Sequence, residues 1–243
     1  MSDREAALRV LAALRETVIG DRAVLVGSSG LFGFDTEVPA ITEDIDVAIP
    51  EALAASQGDD VVAALEAAGF AHERGTATFV GRDGTTFDLL GHGDWRAGDH
   101  VGGAGLLRVM VFEDLSRIVG EQGAVMRLAG GGQALTPAGF VATKLLTERG
   151  HKGAKDKLQA LLVIAERSDD HSFVDEVRRL LGAVDPVRRD DVLASAQEAF
   201  LSLSGNQAFD DAGAAGYGAW IRQLELGLDV LGGWLRGTGV AGV

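Results

Sequence analysis

The chain has 243 residues, 47% hydrophobic and 24% charged, which suits one large or two modest folded domains and excludes a disordered or fibrous chain. Its formal net charge of −14 excludes broad electrostatic attachment to nucleic acid, and no apolar run approaches the roughly 20 residues of a membrane span. Cysteine is absent, which excludes disulfides and thiolate metal sites; with the charge-studded start "MSDREAALRVLAALRET", it leads to the expectation of a cytoplasmic protein.

Ser2 is placed to cap a helix over about 3–17, with Leu8, Leu11, Leu14 and Val18 on one face. "RAVLVG" reads as a short buried strand ending at Gly27, followed by the turn Gly27-Ser28-Ser29-Gly30 and a helix-like segment. "GFDTEVPA" reads as an inserted loop and "DIDVAIP" as the next strand. Asp59 and Asp60 open a helix carrying Val61, Val62, Leu65 and Ala68, which Gly69 stops. "HERGTATFV" and "TTFDLLG", joined by "GRDG", predict an antiparallel hairpin, and the glycine-rich stretch 91–105 predicts a loop. "LRVMVF" reads as a strand, "EDLSRIVG" as a short helix or turn, "AVMRLA" as a further strand and "GGGQ" as a loop. Thr136 and Pro137 then start a helix running to about Arg149, with further helices over about 154–167, 171–182, 189–203 and 216–235. The expected fold is α/β (α+β): a mixed β-sheet with flanking helices over residues 1–135, then a helical bundle over 136–243.

Asp44 and Asp46 stand two apart at the start of the "DIDVAIP" strand and so project to one side. Carboxylates held side by side resist ionising unless a cation lies between them. Hard oxygen ligands without His or Cys favour Mg2+ (or Mn2+) over zinc. By itself an Asp-x-Asp pair is more often a surface turn, and a strand–turn–helix junction of Gly27, Ser28 and Ser29 is equally a plain connection. The combination is more specific, because such a turn also presents N–H groups to a phosphate, and Asp88, flanked by Phe87 and Leu89, faces away from its apolar neighbours. The four lysines of the chain, Lys144, Lys152, Lys155 and Lys157, all fall within "KLLTERGHKGAKDK", while the other basic residues are arginines. A basic run alone is more often a solvated helix face, yet this segregation suggests a task for compact ammonium groups.

"LVGSSG", "DIDVAI" and the later "FDLLG" together resemble the nucleotidyltransferase superfamily of DNA polymerase β type. The segment "LTPAGFVATKLLTERGHKGAKDKLQALLVI" is similar to one found in abortive-infection-type nucleotidyltransferases, the toxin components of type IV toxin–antitoxin systems. The resemblance implies a catalytic domain over 1–135 and a helical domain over 136–243 that completes a nucleotide cleft. It implies a phosphate-binding turn at Gly27, Ser28 and Ser29, metal ligands Asp44, Asp46 and Asp88, and nucleotide contacts from Lys144, Lys155 and Asp156. Arg149 and Lys152 are weaker candidates, and Lys157, one position past Lys-Asp, is expected to face outward. The implied reaction moves an NMP from an NTP such as ATP to a hydroxyl acceptor, an RNA or a small molecule, with Asp88 as general base and Lys144 opposing phosphate charge. A cognate antitoxin protein is the implied partner, and no membrane is involved. Two other readings stay open: a nucleotide- or partner-binding module of the same fold with little catalysis, and an adenylyltransferase acting on an aminoglycoside-like molecule, which suits an acidic surface. His92 and Asp94, just past the Asp88 strand, are near enough in sequence to reach the site, though polar loop roles are commoner for both.

Overall fold

The computed structural model describes residues 3–40, 44–147, 153–182, 186–204 and 217–237. The chain forms two compact units, Met1–Asp35 with Thr42–Thr136, and Thr36–Ile41 with Pro137–Val243. No described helix is long and apolar enough to cross a membrane.

The first unit contains, in chain order, α1 (Asp3–Arg15), β1 (Val24–Leu25), a 3-10 turn (Gly27–Gly33), β2 (Ile45–Pro50), α2 (Glu51–Ala67), β3 (Phe70–His72), β4 (Thr78–Gly81), β5 (Thr86–His92), β6 (His100–Ala104), β7 (Leu107–Val111), α3 (Glu113–Val119), β8 (Val125–Arg127) and β9 (Gln133–Leu135). The strands form one mixed sheet in the order β3-β4-β5-β2-β1-β9-β8, with β7 also on β5 and β6 on β7. β2 runs parallel to β5, β5 parallel to β7 and β1 parallel to β9; the other pairs are antiparallel.

Alternation along β5 separates two faces. Phe87 and Leu89 are fully buried, while Thr86, Asp88, Leu90 and His92 are half-buried. The apolar face joins Ile45, Val47 and Ile49 of β2 and packs under Val10, Leu11 and Leu14 of α1 and Val61, Val62 and Leu65 of α2. Phe79 stacks on Phe87 at 5.1 Å, with Phe70 edge-on at 5.2 Å. Each such side chain stabilises the fold by roughly 1.5–3 kcal/mol on burial. Helices thus cover one face, and the polar alternates, including the aspartates, lie on the other.

The mixed α/β reading followed by helices is borne out, and several elements differ. The buried stripe of α1 is Ala7, Val10, Leu11 and Leu14; Leu8 and Val18 are exposed, because the alanine and Val10 turn the sheet-facing stripe away from them. The expected cap Ser2 lies outside the described residues. α2 begins at Glu51, well before Asp59, and kinks at Gln57 (φ −141°, ψ 23°), so two helical segments abut there. The glycine-rich stretch 91–105 is not a loop throughout: it holds the end of β5 and all of β6. Its glycines serve close packing, since a Cβ on Gly102 would meet the Glu51 side chain at 2.7 Å and one on Gly103 (φ +90°) the Leu107 carbonyl oxygen at 2.4 Å. β9 was not foreseen after the "GGGQ" loop.

The second unit contains α4 (Pro137–Leu146), α5 (Gly153–Glu166), α6 (His171–Gly182), α7 (Pro186–Ser204) and α8 (Ile221–Gly237). Every residue of α4 from Ala138 to Leu146 is buried, which makes it the central helix of the unit. α6 turns Phe173, Val174, Val177, Leu180 and Leu181 inward at helical spacing. Its Phe173 meets Trp234 of α8 at 6.0 Å. α4 ends at Leu146, with Thr147 already outside it; the rest of the expected continuation, 148–149, lies outside the described residues, as does Lys152.

Candidate metal centre

Asp46 and Asp88 are direct register partners across the parallel β2–β5 pair. Asp44 stands two residues before Asp46, one position ahead of the strand, so its side chain projects to the same face. One carboxylate oxygen from each of Asp44, Asp46 and Asp88 lies within 4.8 Å of the other two, and all three residues are half-buried. Thr78, the register partner of Asp88 on β4, donates its hydroxyl to Asp88 Oδ1 at 2.6 Å and fixes that side chain from the far side. The role of Thr78 was missed in the sequence. Extending the "GRDG" hairpin by its pairing places Thr78 opposite Asp88, which is the signal that was available.

The turn after β1 is built around the same carboxylates. Gly27 has φ +56°, and a Cβ there would lie 1.9 Å from Asp46 Oδ2, so only glycine lets the backbone pass. The Ser29 hydroxyl accepts from the Asp46 N–H at 3.2 Å and donates to the Asp44 carbonyl at 3.4 Å. Ser28 and Ser29 are both buried. The turn expected to bind phosphate therefore has one hydroxyl, that of Ser29, committed to the aspartate segment; this internal strap was not foreseen.

Three carboxylates at this separation repel one another unless positive charge is shared among them. Their donor set is all hard oxygen, partly open to solvent, and backed by a hydroxyl and a glycine turn that fix its shape. It suits a hard divalent metal ion, with remaining positions left to water or ligand. The residues present fit such an ion. No protein-family model, curated protein or solved structure matches the chain, so the chemistry of the site rests on its own geometry.

Lys144, Lys155 and Asp156 belong to the second unit. Lys144 is buried, and its ammonium forms an ion pair with Asp156, also buried. Lys155 is half-buried. Lys157 is not turned outward as expected: it is 4% exposed, and its Nζ donates to the carbonyls of Lys144 (3.2 Å), Leu145 (2.5 Å) and Thr147 (2.8 Å). It closes the C-terminal end of α4, where unpaired carbonyls and the helix dipole favour a cation.

His92 and Asp94 do not join the aspartates. His92 pairs with Pro50, four residues along the strands from the Asp46–Asp88 pair, roughly 13 Å at strand rise. Asp94 is exposed and accepts from the Arg96 N–H at 3.1 Å, capping the short turn Trp95–Ala97. Burial pushes His92 down to about 4, and its Nε2 has neither solvent nor a hydrogen-bond partner. The folded protein thus holds His92 neutral where the unfolded chain, near 6.5, takes up a proton. Its contribution to stability is complete above about pH 6.5 and is lost as pH falls toward 4, up to about 3 kcal/mol. Urea unfolding across that window should show a steeper loss in the native protein than in His92→Phe; equal slopes would remove His92 from the acid transition.

Proposed function

We propose that the protein is a metal-dependent nucleotidyltransferase that moves an NMP from an NTP to a hydroxyl acceptor. The observation that carries this reading is the convergence of Asp44, Asp46 and Asp88 on one sheet face, with the Gly27 turn pressed against Asp46. Asp44, Asp46 and Asp88 would hold Mg2+ or Mn2+, which when bound supplies positive charge to the triphosphate and lowers the pKa of the acceptor hydroxyl. Asp88, fixed by Thr78, accepts the proton of that hydroxyl. Gly27 and Ser28 offer the turn to the phosphates. In this proposal residues 1–135 carry the chemistry and 136–243 contribute Lys144, held by Asp156, and Lys155 to the nucleotide phosphates.

The resemblance to toxin components extends the proposal to a toxin-like role with an antitoxin partner. The net charge of −14 favours a small cationic acceptor over a polyanionic RNA. Incubation with each α-labelled NTP, Mg2+ and either total RNA or aminoglycoside-like amino sugars tests both points. Label appearing on an acceptor with release of pyrophosphate is the expected result. Absence of transfer from every NTP to every acceptor, with tight NTP binding retained, would favour the binding-module reading.

A further inference from the structure

β1 and β2 pair antiparallel through Val24–Ala48 and Leu25–Val47, and the Val26 N–H continues the ladder by donating to the Asp46 carbonyl at 3.1 Å. At Gly27, with φ +56°, the first of the two chains turns away. The ladder does not stop there. The next two backbone groups on the β2 side are the Asp46 N–H and the Asp44 carbonyl, and a side chain meets them in place of a strand. The Ser29 hydroxyl accepts from the first at 3.2 Å and donates to the second at 3.4 Å. A hydroxyl is donor and acceptor at once, so it stands in for one residue of a strand, a double role that no apolar side chain fills. Ser29 is fully buried, where a backbone group without a partner is costly.

Both groups belong to carboxylates of the candidate metal centre. Asp46 is embedded in the sheet opposite Asp88, whereas Asp44 precedes β2, and the β2–β5 register begins one residue after it, at Ile45–Phe87. The Ser29 hydroxyl ties the backbone of Asp44 to that of Asp46, and the backbone sets where each carboxylate starts. We propose that Ser29 is a positioning residue of the metal centre, whose hydroxyl fixes the spacing of Asp44 and Asp46 and so sets the affinity for the divalent ion. The two serines of the turn then divide its work: Ser28 belongs with the nucleotide phosphates and Ser29 with the metal ligands. This proposal rests on the metal-site reading above.

The test is titration of the full chain with Mn2+ alone, in the absence of any nucleotide, followed by the electron paramagnetic resonance signal of the free ion. The proteins are wild type, Ser29→Ala, Ser29→Thr, Ser116→Ala and Asp46→Asn, with thermal melts to show that each is folded at the assay temperature. Ser29→Ala should weaken Mn2+ binding about tenfold, the low end of the usual cost of losing a hydrogen-bond partner behind a metal ligand. Ser29→Thr keeps the hydroxyl and should recover most of that loss. Ser116→Ala removes another buried hydroxyl of the same unit, one that accepts the Gly93 N–H at 3.1 Å, and should bind Mn2+ as wild type does. Wild-type affinity in Ser29→Ala would overturn the proposal, since a serine that served only the phosphates would leave binding of the bare ion untouched. An equal loss in Ser116→Ala would overturn it too, by tracing the effect to a general loosening of the unit. So would a Ser29→Thr protein that melts like wild type but binds as weakly as Ser29→Ala. If wild type itself binds Mn2+ no better than Asp46→Asn, the metal-site reading fails and the proposal with it, a result distinct from a Ser29 that has no effect on a working site.

Discussion

Lys157→Ala is expected to destabilise the protein by about 2–4 kcal/mol, an effect independent of any catalytic reading. The ammonium is buried and satisfies three carbonyls at the end of α4, the helix with every residue from Ala138 to Leu146 buried. Its removal takes the ammonium donor away from those carbonyls at a largely buried helix end, and it deletes the cation that the helix C-terminus favours. For a chain of this size the loss corresponds to a fall in melting temperature of roughly 5–15 °C. Lys157→Met separates the two contributions of the side chain. It keeps the apolar stem and removes only the charge, so it should lose most of the same stability. A Lys157→Met protein that melts with wild type would show that packing of the stem, not capping of α4, is what the residue supplies.

That lysine also marks where reading the sequence ran out. The segregation of all four lysines into one stretch was plain, and it pointed to a task for ammonium groups. The task of Lys157 is to close the end of a different helix, and the pairing of two helices is a tertiary fact that no local pattern encodes. Lys144 is similar: its partner Asp156 lies on the next helix, and the ion pair exists because α4 and α5 bury their facing sides. The aspartates were more legible because strand periodicity is local. Asp44 and Asp46 share a face by spacing alone, and Asp88 is placed opposite its apolar neighbours by the same alternation. What joined them was the parallel β2–β5 register, which needs the intervening α2 crossover and was reachable only through the family resemblance. The glycines behaved oppositely in two places. Gly27 was read as a turn and is one, with the added demand that nothing occupy the space of the Asp46 carboxylate. Gly102 and Gly103 were read as loop and are strand, because composition cannot tell a glycine that bends the chain from one that lets a helix side chain approach it.

In the proposed reaction Asp44, Asp46 and Asp88 hold a divalent ion that an NTP shares. Asp46 is its keystone: it faces Asp88 across the strands, its N–H is held by Ser29, and Gly27 makes room for it. Asp46→Asn preserves shape and removes one negative charge. Because Mg2+ binds few protein ligands and leans on substrate phosphates, the ion and the nucleotide should bind together more tightly than either alone. The most direct test is calorimetric titration with an NTP, with and without Mg2+, on wild type and Asp46→Asn shown to melt alike. Mg2+ should tighten NTP binding by about tenfold or more in wild type, that is by at least 1.4 kcal/mol, and should leave Asp46→Asn unchanged. The same Mg2+ enhancement in both proteins would contradict the account.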